Sequence, residues 1–145
     1  MKKTLIRLFT LTVLACVGSA GAQEDHAHGS PHGGQVKTAG KGHVEALLEA
    51  DKLVVYVLDE KERTVAPPKE AKAVLLVGKG KQELQLSARG NALEASLPDD
   101  VRKQLTAAQG KATAIVTVSV GGTTQSARFT FTGAQAPAKH DEHHG

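Results

Sequence analysis

Apolar and polar residues alternate with a period of two through most of the middle of the chain. Val44, Ala46 and Leu48 fall on one face of such a segment, and His43 and Glu45 fall on the other. This pattern is typical of a β-strand with one buried face. Residues 53–58 are instead a continuous apolar run, which indicates a strand covered on both faces.

Turn residues separate the other predicted strands. A Gly-Lys-Gly turn at residues 78–80 and Gly121-Gly122 each predict a hairpin between alternating segments. Residues 98–105 are the one helical candidate, because Pro and two Asp residues begin it and Val101 and Leu105 are spaced i to i+4. Seven or eight short strands with turns about every ten residues favour an all-β, immunoglobulin-like β-sandwich, with a small barrel as the alternative.

The first 22 residues are typical of a secretory signal peptide. A short apolar run follows the basic residues Lys2, Lys3 and Arg7. Ala20 and Ala22 then form an A-x-A cleavage site. We therefore expect export to the periplasm, a mature chain that begins at Gln23, and no membrane span. The alternative is a lipoprotein anchored through Cys16, although Leu14 fits the lipoprotein pattern poorly.

The rest of the chain is long enough for one domain with a single core. Residues 23–34 and 133–145 lack apolar periodicity and are rich in His, Gly and acids, so both are expected to be flexible tails. The β-domain is then assigned to residues 35–132.

Charge and composition exclude several partners. The predicted signal peptide holds three of the 18 basic residues and no acid, so 15 basic and 15 acidic residues remain. That balance gives no support to nucleic-acid binding. Without Cys16 the mature chain has no disulfide, since it is the sole cysteine.

Six of the seven histidines lie outside the predicted strands. Neutral imidazole is a common ligand for borderline metals, and short His-rich tracts indicate metal binding. His26, His28 and His32 lie within seven residues and can converge on one ion. The C-terminal tail supplies three more candidate ligands, His140, His143 and His144, beside two acids.

His43 and Glu45 form a further candidate pair, since residues two apart on a strand project from the same face. The alternative is that they are only the solvent-exposed face of the strand. If residues 35–38 pair with the following strand in a simple hairpin, Thr38 faces His43 and His32 falls near Glu49. The two histidines would then lie about 15–20 Å apart.

No catalytic motif is present in the sequence: there is no Gly-x-Ser-x-Gly elbow, phosphate-binding Gly loop or His-Glu-x-x-His. We therefore expect a non-enzymatic protein.

The segment His32-Gly33-Gly34, followed by Gly42-His43-Val44-Glu45 and the apolar run at 53–58, resembles small exported domains associated with heavy-metal efflux. Similar His-Gly-Gly segments occur near the start of some periplasmic adaptor subunits of such pumps. The resemblance implies a β-sandwich, a role in handling copper, zinc, nickel or cobalt, a pump component as a partner, and His32, His43 and Glu45 as ligands. The chain lacks the coiled-coil and lipoyl modules of an adaptor.

Two functions follow as hypotheses. The first is a periplasmic binding protein that buffers or delivers a divalent transition metal. The second is a non-catalytic interaction or structural domain of the cell envelope whose His-rich tails are incidental.

Overall fold

The computed structural model describes residues 29–133. The predicted signal peptide and five of the candidate ligands, His26, His28, His140, His143 and His144, lie outside these residues. The described part contains eight strands and one helix: β1 Gln35–Ala39, β2 Gly42–Leu48, β3 Lys52–Leu58, β4 Glu70–Val77, β5 Gly80–Arg89, β6 Ala92–Ser96, α1 Asp99–Ala107, β7 Lys111–Val120 and β8 Thr123–Thr132. The all-β prediction with one short helix is confirmed.

All eight strands belong to one antiparallel sheet in the order β1-β2-β3-β6-β5-β4-β7-β8. The sheet curls until its two edge strands, β1 and β8, lie against each other. The side-chain amide of Gln35 donates a hydrogen bond of 2.8 Å to the backbone carbonyl of Thr130 across this junction. The architecture is therefore a single, nearly barrel-like antiparallel sheet that wraps around one core, which agrees with the predicted all-β, sandwich-like fold.

The concave side of the sheet holds the hydrophobic core, to which the alternating residues of every strand from β2 onward contribute. Leu53, Val55 and Phe129 are fully buried there. The helix α1 adds Val101 and Leu105, the two residues whose spacing predicted it. Burial of each such side chain stabilises the fold by about 1.5–3 kcal/mol.

The predicted hairpins are confirmed. Val77 pairs with Gly80 at the end of the β4–β5 hairpin, and Val120 pairs with Thr123 at the end of β7–β8. Gly121 and Gly122 both have positive φ, 59° and 81°. That is the backbone a two-residue hairpin turn requires, and glycine adopts it without strain.

The β1–β2 hairpin has the predicted register, with Thr38 opposite His43 and Gln35 opposite Ala46. The chain before Gln35 does not continue this register. It turns at residues 30–33, where the Gly33 N–H donates to the Ser30 carbonyl at 3.1 Å. The predicted position of His32 near Glu49 is therefore wrong, because the turn brings His32 back to Glu45.

Candidate functional site

Glu45 is the only charged or polar residue that is fully buried within residues 29–133. It lies in the middle of β2 between Val44 and Ala46, whose side chains enter the core. Strand alternation directs the Glu45 side chain to the opposite, outer face of the sheet. Residues 31–34, which we call the clasp, fold over it there and exclude water from the carboxylate.

The clasp holds the Glu45 carboxylate through three hydrogen bonds. The backbone N–H groups of His32 and Gly34 donate to Oε1 at 3.0 and 2.8 Å. The Nδ1 atom of His32 lies 2.8 Å from Oε2. Hydrogen bonds to an ionised acceptor are among the stronger ones in proteins, and a buried carboxylate without them would be costly.

The imidazole of His32 is fixed on two further sides. It stacks on the ring of Tyr56, which is the residue opposite Glu45 on β3, with ring centroids 3.5 Å apart. Its Nε2 atom lies 3.4 Å from the hydroxyl oxygen of Thr64. The His32 side chain is still 27% exposed, so solvent reaches the ring.

The partner of Nδ1 determines the proton arrangement on His32. An ionised carboxylate only accepts hydrogen bonds, so Nδ1 must carry the hydrogen that points at Oε2 of Glu45. In the neutral imidazole the lone pair is then on Nε2. The Thr64 hydroxyl can donate to that lone pair, which agrees with its position.

Thr64 is positioned by the loop that follows β3. It forms an isolated bridge with Leu58, and the Asp59 side chain accepts hydrogen bonds from the backbone N–H groups of Lys61 and Arg63. The hydrogen bond from the Arg63 backbone, followed by the contact with the Arg63 side chain, holds the pKa of Asp59 below its usual value. Arg63 Nε lies 2.8 Å from Asp59 Oδ2 and closes the loop.

Tyr56 shares the charge environment of the site. Burial raises the pKa of its phenol above the usual value, and the negative charges of Glu45 and Glu94 raise it further. Tyr56 is thus a neutral hydroxyl beside a buried carboxylate at ordinary pH.

His43 lies elsewhere on β2. Its Nδ1 atom is 3.1 Å from the backbone carbonyl of Asp59. It lines a cavity of about 450 Å³ at one end of the sheet, between the β1–β2 turn and the β7–β8 turn. The cavity floor is formed by core residues that include Val44, Val57 and Val118.

Of the predicted ligands, the structure therefore brings His32 and Glu45 together. The alternative that Glu45 lies on a solvent-exposed face is wrong, since the clasp covers it completely. Among residues 29–133, no group of three or more His, Cys, Asp or Glu side chains is arranged to hold a metal ion. The other tail histidines lie outside this range.

Comparison with protein-family models, curated proteins and solved structures found no match. In the described part of the chain, no helix combines the length and the apolar character needed to cross a membrane.

Tyr56, Thr64 and Gly34 are parts of the site that the sequence pattern does not predict. Tyr56 is one residue of an apolar run, and Thr64 follows a charged loop without periodicity. No clear signal for this site is present in the sequence, because a Glu between two core positions is the ordinary outward position of a half-buried strand, and its pairing with Tyr56 is visible only in the structure.

Proposed function

We propose that this protein binds a divalent transition metal ion, copper, zinc, nickel or cobalt, and buffers or delivers it in the periplasm. The observation that carries the proposal is the hydrogen bond between Nδ1 of His32 and the buried Glu45 carboxylate. Histidines that bind metals almost always donate their second ring nitrogen to such a partner, which fixes the ring and the tautomer.

The composition of the tails supports the same function. His26 and His28 precede the clasp by a few residues, and His140, His143 and His144 close the chain. Imidazole suits zinc, copper and nickel, and the expected order of affinity follows general ligand preference, with copper(II) the tightest. In this proposal His32 is the fixed ligand and the tail histidines are the additional ones.

The predicted signal peptide supports a role outside the cytoplasm. The pattern of the first 22 residues fits a signal peptide with cleavage after Ala22, and a lipid anchor at Cys16 is the alternative. The resemblance to exported domains associated with heavy-metal efflux adds a component of such a pump as the proposed partner. A role without catalysis is part of the proposal.

A non-catalytic interaction domain is the second candidate. The observation that favours it is that the clasp also has a purely structural explanation, because it covers and hydrogen-bonds a buried carboxylate. In that case the His32–Glu45 contact serves the fold, and the tails are only solvated ends.

Calorimetric titration of the exported protein with copper(II), zinc(II), nickel(II) and cobalt(II) tests the proposal. Metal binding is expected to weaken when His26, His28 and His32 are all replaced by Ala. Two variants serve for comparison: one has the three C-terminal histidines replaced, and the other has His43 replaced. If wild type binds none of the four ions more tightly than about 10⁻⁴ M, the metal proposal fails and the interaction domain replaces it.

A further inference from the structure

We propose that this protein forms a weak homodimer, in which the outer face of β4 and β7 packs against the same face of a second copy of the chain. Neither strand pairs with β2 or β3, which carry the clasp site. The contact is therefore separate from that site, and it does not depend on metal binding.

Three apolar side chains lie on the outer face of these two strands. Val74 and Leu76 alternate along β4 with residues that enter the core, and Ile115 does so on β7. All three are only partly buried, and none belongs to the core cluster. Because Val74 pairs directly with Ile115, the three form one contiguous apolar surface, which we call the outer patch. A contiguous apolar patch with a polar rim is typical of a protein contact surface.

Two opposite charges border the outer patch at the same level of the sheet. Glu83 on β5 pairs with Val74, and Arg128 on β8 pairs with Ile115, so one row across four strands runs Glu, Val, Ile, Arg. Both charged side chains are exposed. Neither forms an ion pair with another residue of the described range. Neighbouring strands are about 4.8 Å apart, so the two charges are separated by about 14 Å at the backbone.

This row is complementary to itself under a two-fold rotation. If the axis runs parallel to the strands, between β4 and β7, then β4 of one copy lies over β7 of the other and β5 lies over β8. Val74 packs on Ile115 of the second copy, and Glu83 faces Arg128 of the second copy. The symmetry repeats the ion pair at the other end of the row, so each dimer contains two such pairs.

The other two-fold arrangement of the same faces is unfavourable. An axis through this row and perpendicular to the strands would place Glu83 over Glu83 and Arg128 over Arg128, and like charges that face each other disfavour association. It would also place Leu76 on Lys72 of the second copy. With the axis parallel to the strands, Leu76 instead meets Thr113. The charges therefore select one orientation of the dimer.

The dimer should be weak because the contact is small. A face of four strands is only about 14 Å wide, and a standard stable interface buries about 800 Å² on each partner. The sheet also curls, so it bends away from the second copy on both sides and only the long side chains of Glu83 and Arg128 bridge the wider gap at the borders. We expect a dissociation constant of about 10⁻⁵ M, well above that of larger specific interfaces.

Sedimentation equilibrium of the full exported protein tests the dimer, with a chelator present so that metal on the tails cannot join two copies. Glu83→Arg and Arg128→Glu should each weaken association at least about tenfold, because each places two pairs of like charges in the contact. Both residues are exposed, so both variants should keep the circular dichroism spectrum of wild type. The matched control is Lys103→Glu on α1, which is an exposed residue outside this face. It changes the net charge as Arg128→Glu does and should leave the dissociation constant unchanged.

A mixture of the two single variants gives the sharpest measurement. One variant has a positive charge at both ends of the row and the other has a negative charge at both ends, so each supplies the charge that the other lacks. An equimolar mixture should form a heterodimer about as tightly as wild type associates, although neither variant does so alone. The double variant Glu83→Arg/Arg128→Glu exchanges both charges and should likewise regain association. Restoration in the mixture requires contact between two copies, and a loss of folding in either variant could not produce it.

Four outcomes would overturn the dimer. Wild type that stays monomeric at about 10⁻³ M, a hundredfold above the expected dissociation constant, leaves the outer patch to a different partner. Association that both single reversals leave unchanged places the contact on another surface. Association that occurs only without the chelator means that the tails join the copies through metal. A mixture of the two folded single variants that stays monomeric contradicts the orientation that the charges select.

Discussion

The imidazole of His32 lies flat on the phenol ring of Tyr56, with an angle of 1° between the two planes. The contact joins the clasp to β3. Glu45 also links the two residues, because its carboxylate contacts the imidazole of His32 and its backbone pairs with Tyr56 across the strands. A change at the clasp must therefore alter the surroundings of the only tyrosine.

Tyr56 is expected to titrate above the usual range. Burial, followed by the charge of Glu45, raises its pKa in the folded state, so the folded state retains the phenol proton where the unfolded chain loses it. The resulting stability is fully present below pH about 10 and is lost as the pH rises through the folded-state pKa. Near-ultraviolet absorbance of tyrosinate measures the titration, with the urea-unfolded protein as the reference.

The Glu45→Gln variant checks the cause of that shift. Removing the negative charge should lower the pKa of Tyr56 toward the usual value without restoring it fully, because burial is the larger cause. A titration identical in the folded and unfolded chains would contradict the packing described for Tyr56.

The Glu45 contacts should dominate the stability of the clasp. Glu45→Ala leaves two backbone N–H groups and the Nδ1–H of His32 without an acceptor, and each buried donor that stays unsatisfied costs about 1–3 kcal/mol. His32→Ala keeps both backbone hydrogen bonds, so its expected cost is about 1–3 kcal/mol. Urea unfolding monitored by circular dichroism measures both free energies of unfolding.

The double variant gives the coupling between the two side chains. If they interact as described, the double replacement costs less than the sum of the single ones, by about 0.5–3 kcal/mol. Strict additivity would mean that the His32–Glu45 hydrogen bond contributes nothing to folding.

Much of the fold was predictable because its signals are local. The double-glycine turn needs only the positive φ that glycine provides, and the spacing of Val101 and Leu105 marks the buried face of α1. Closure of the sheet was not predictable in this way. It depends on the meeting of β1 and β8, whose residues Gln35 and Thr130 are 95 positions apart.

Of the candidate site, only His32 and Glu45 were predictable from the sequence. His32 and Glu45 were identified from chemistry and resemblance, but their contact depends on a turn outside the strand pattern. Alternation alone placed Glu45 on the outer face correctly and gave no means of deducing that the clasp covers it. The tail composition predicted solvation, whereas the Glu45 carboxylate and the ring of Tyr56 hold His32, near the end of that tail, against the sheet.

Gly34 should be the least replaceable glycine of the clasp. A Cβ atom there would lie 2.6 Å from the Ala46 carbonyl oxygen and 2.9 Å from Cγ of Glu45. The Ala46 backbone is part of β2 and cannot shift cheaply, so Gly34→Ala is expected to cost about 1–3 kcal/mol and to detach the clasp. Gly29→Ala is the matched control, because a Cβ atom at Gly29 would have no neighbour within 4 Å and the backbone there is outside the left-handed region. Equal melting temperatures for the two variants would contradict the close approach of the clasp to β2.

The proposed export predicts a definite mass for the mature protein. Cleavage after Ala22 gives a mature chain that begins at Gln23, and the intact mass of the protein recovered from a periplasmic extract should match residues 23–145. A lipid-modified chain that begins at Cys16, found in the membrane fraction, would establish the alternative.

Metal should stabilise this protein without being required for its fold. Removal of metal by a chelator is expected to leave the circular dichroism spectrum of the folded protein unchanged, because the core residues of the strands and of α1 need no imidazole. Added metal stabilises the protein only to the extent that it binds the native state more tightly than the unfolded chain. At a metal concentration a hundredfold above the dissociation constant, the upper limit is about 2.7 kcal/mol. The tail histidines are present in the unfolded chain too, so this preference depends on the fixed ring of His32. The melting temperature of His32→Ala should accordingly respond less to copper(II) than that of wild type, whereas His43→Ala should respond as wild type does. Unfolding on addition of a chelator would mean instead that the ion is part of the core.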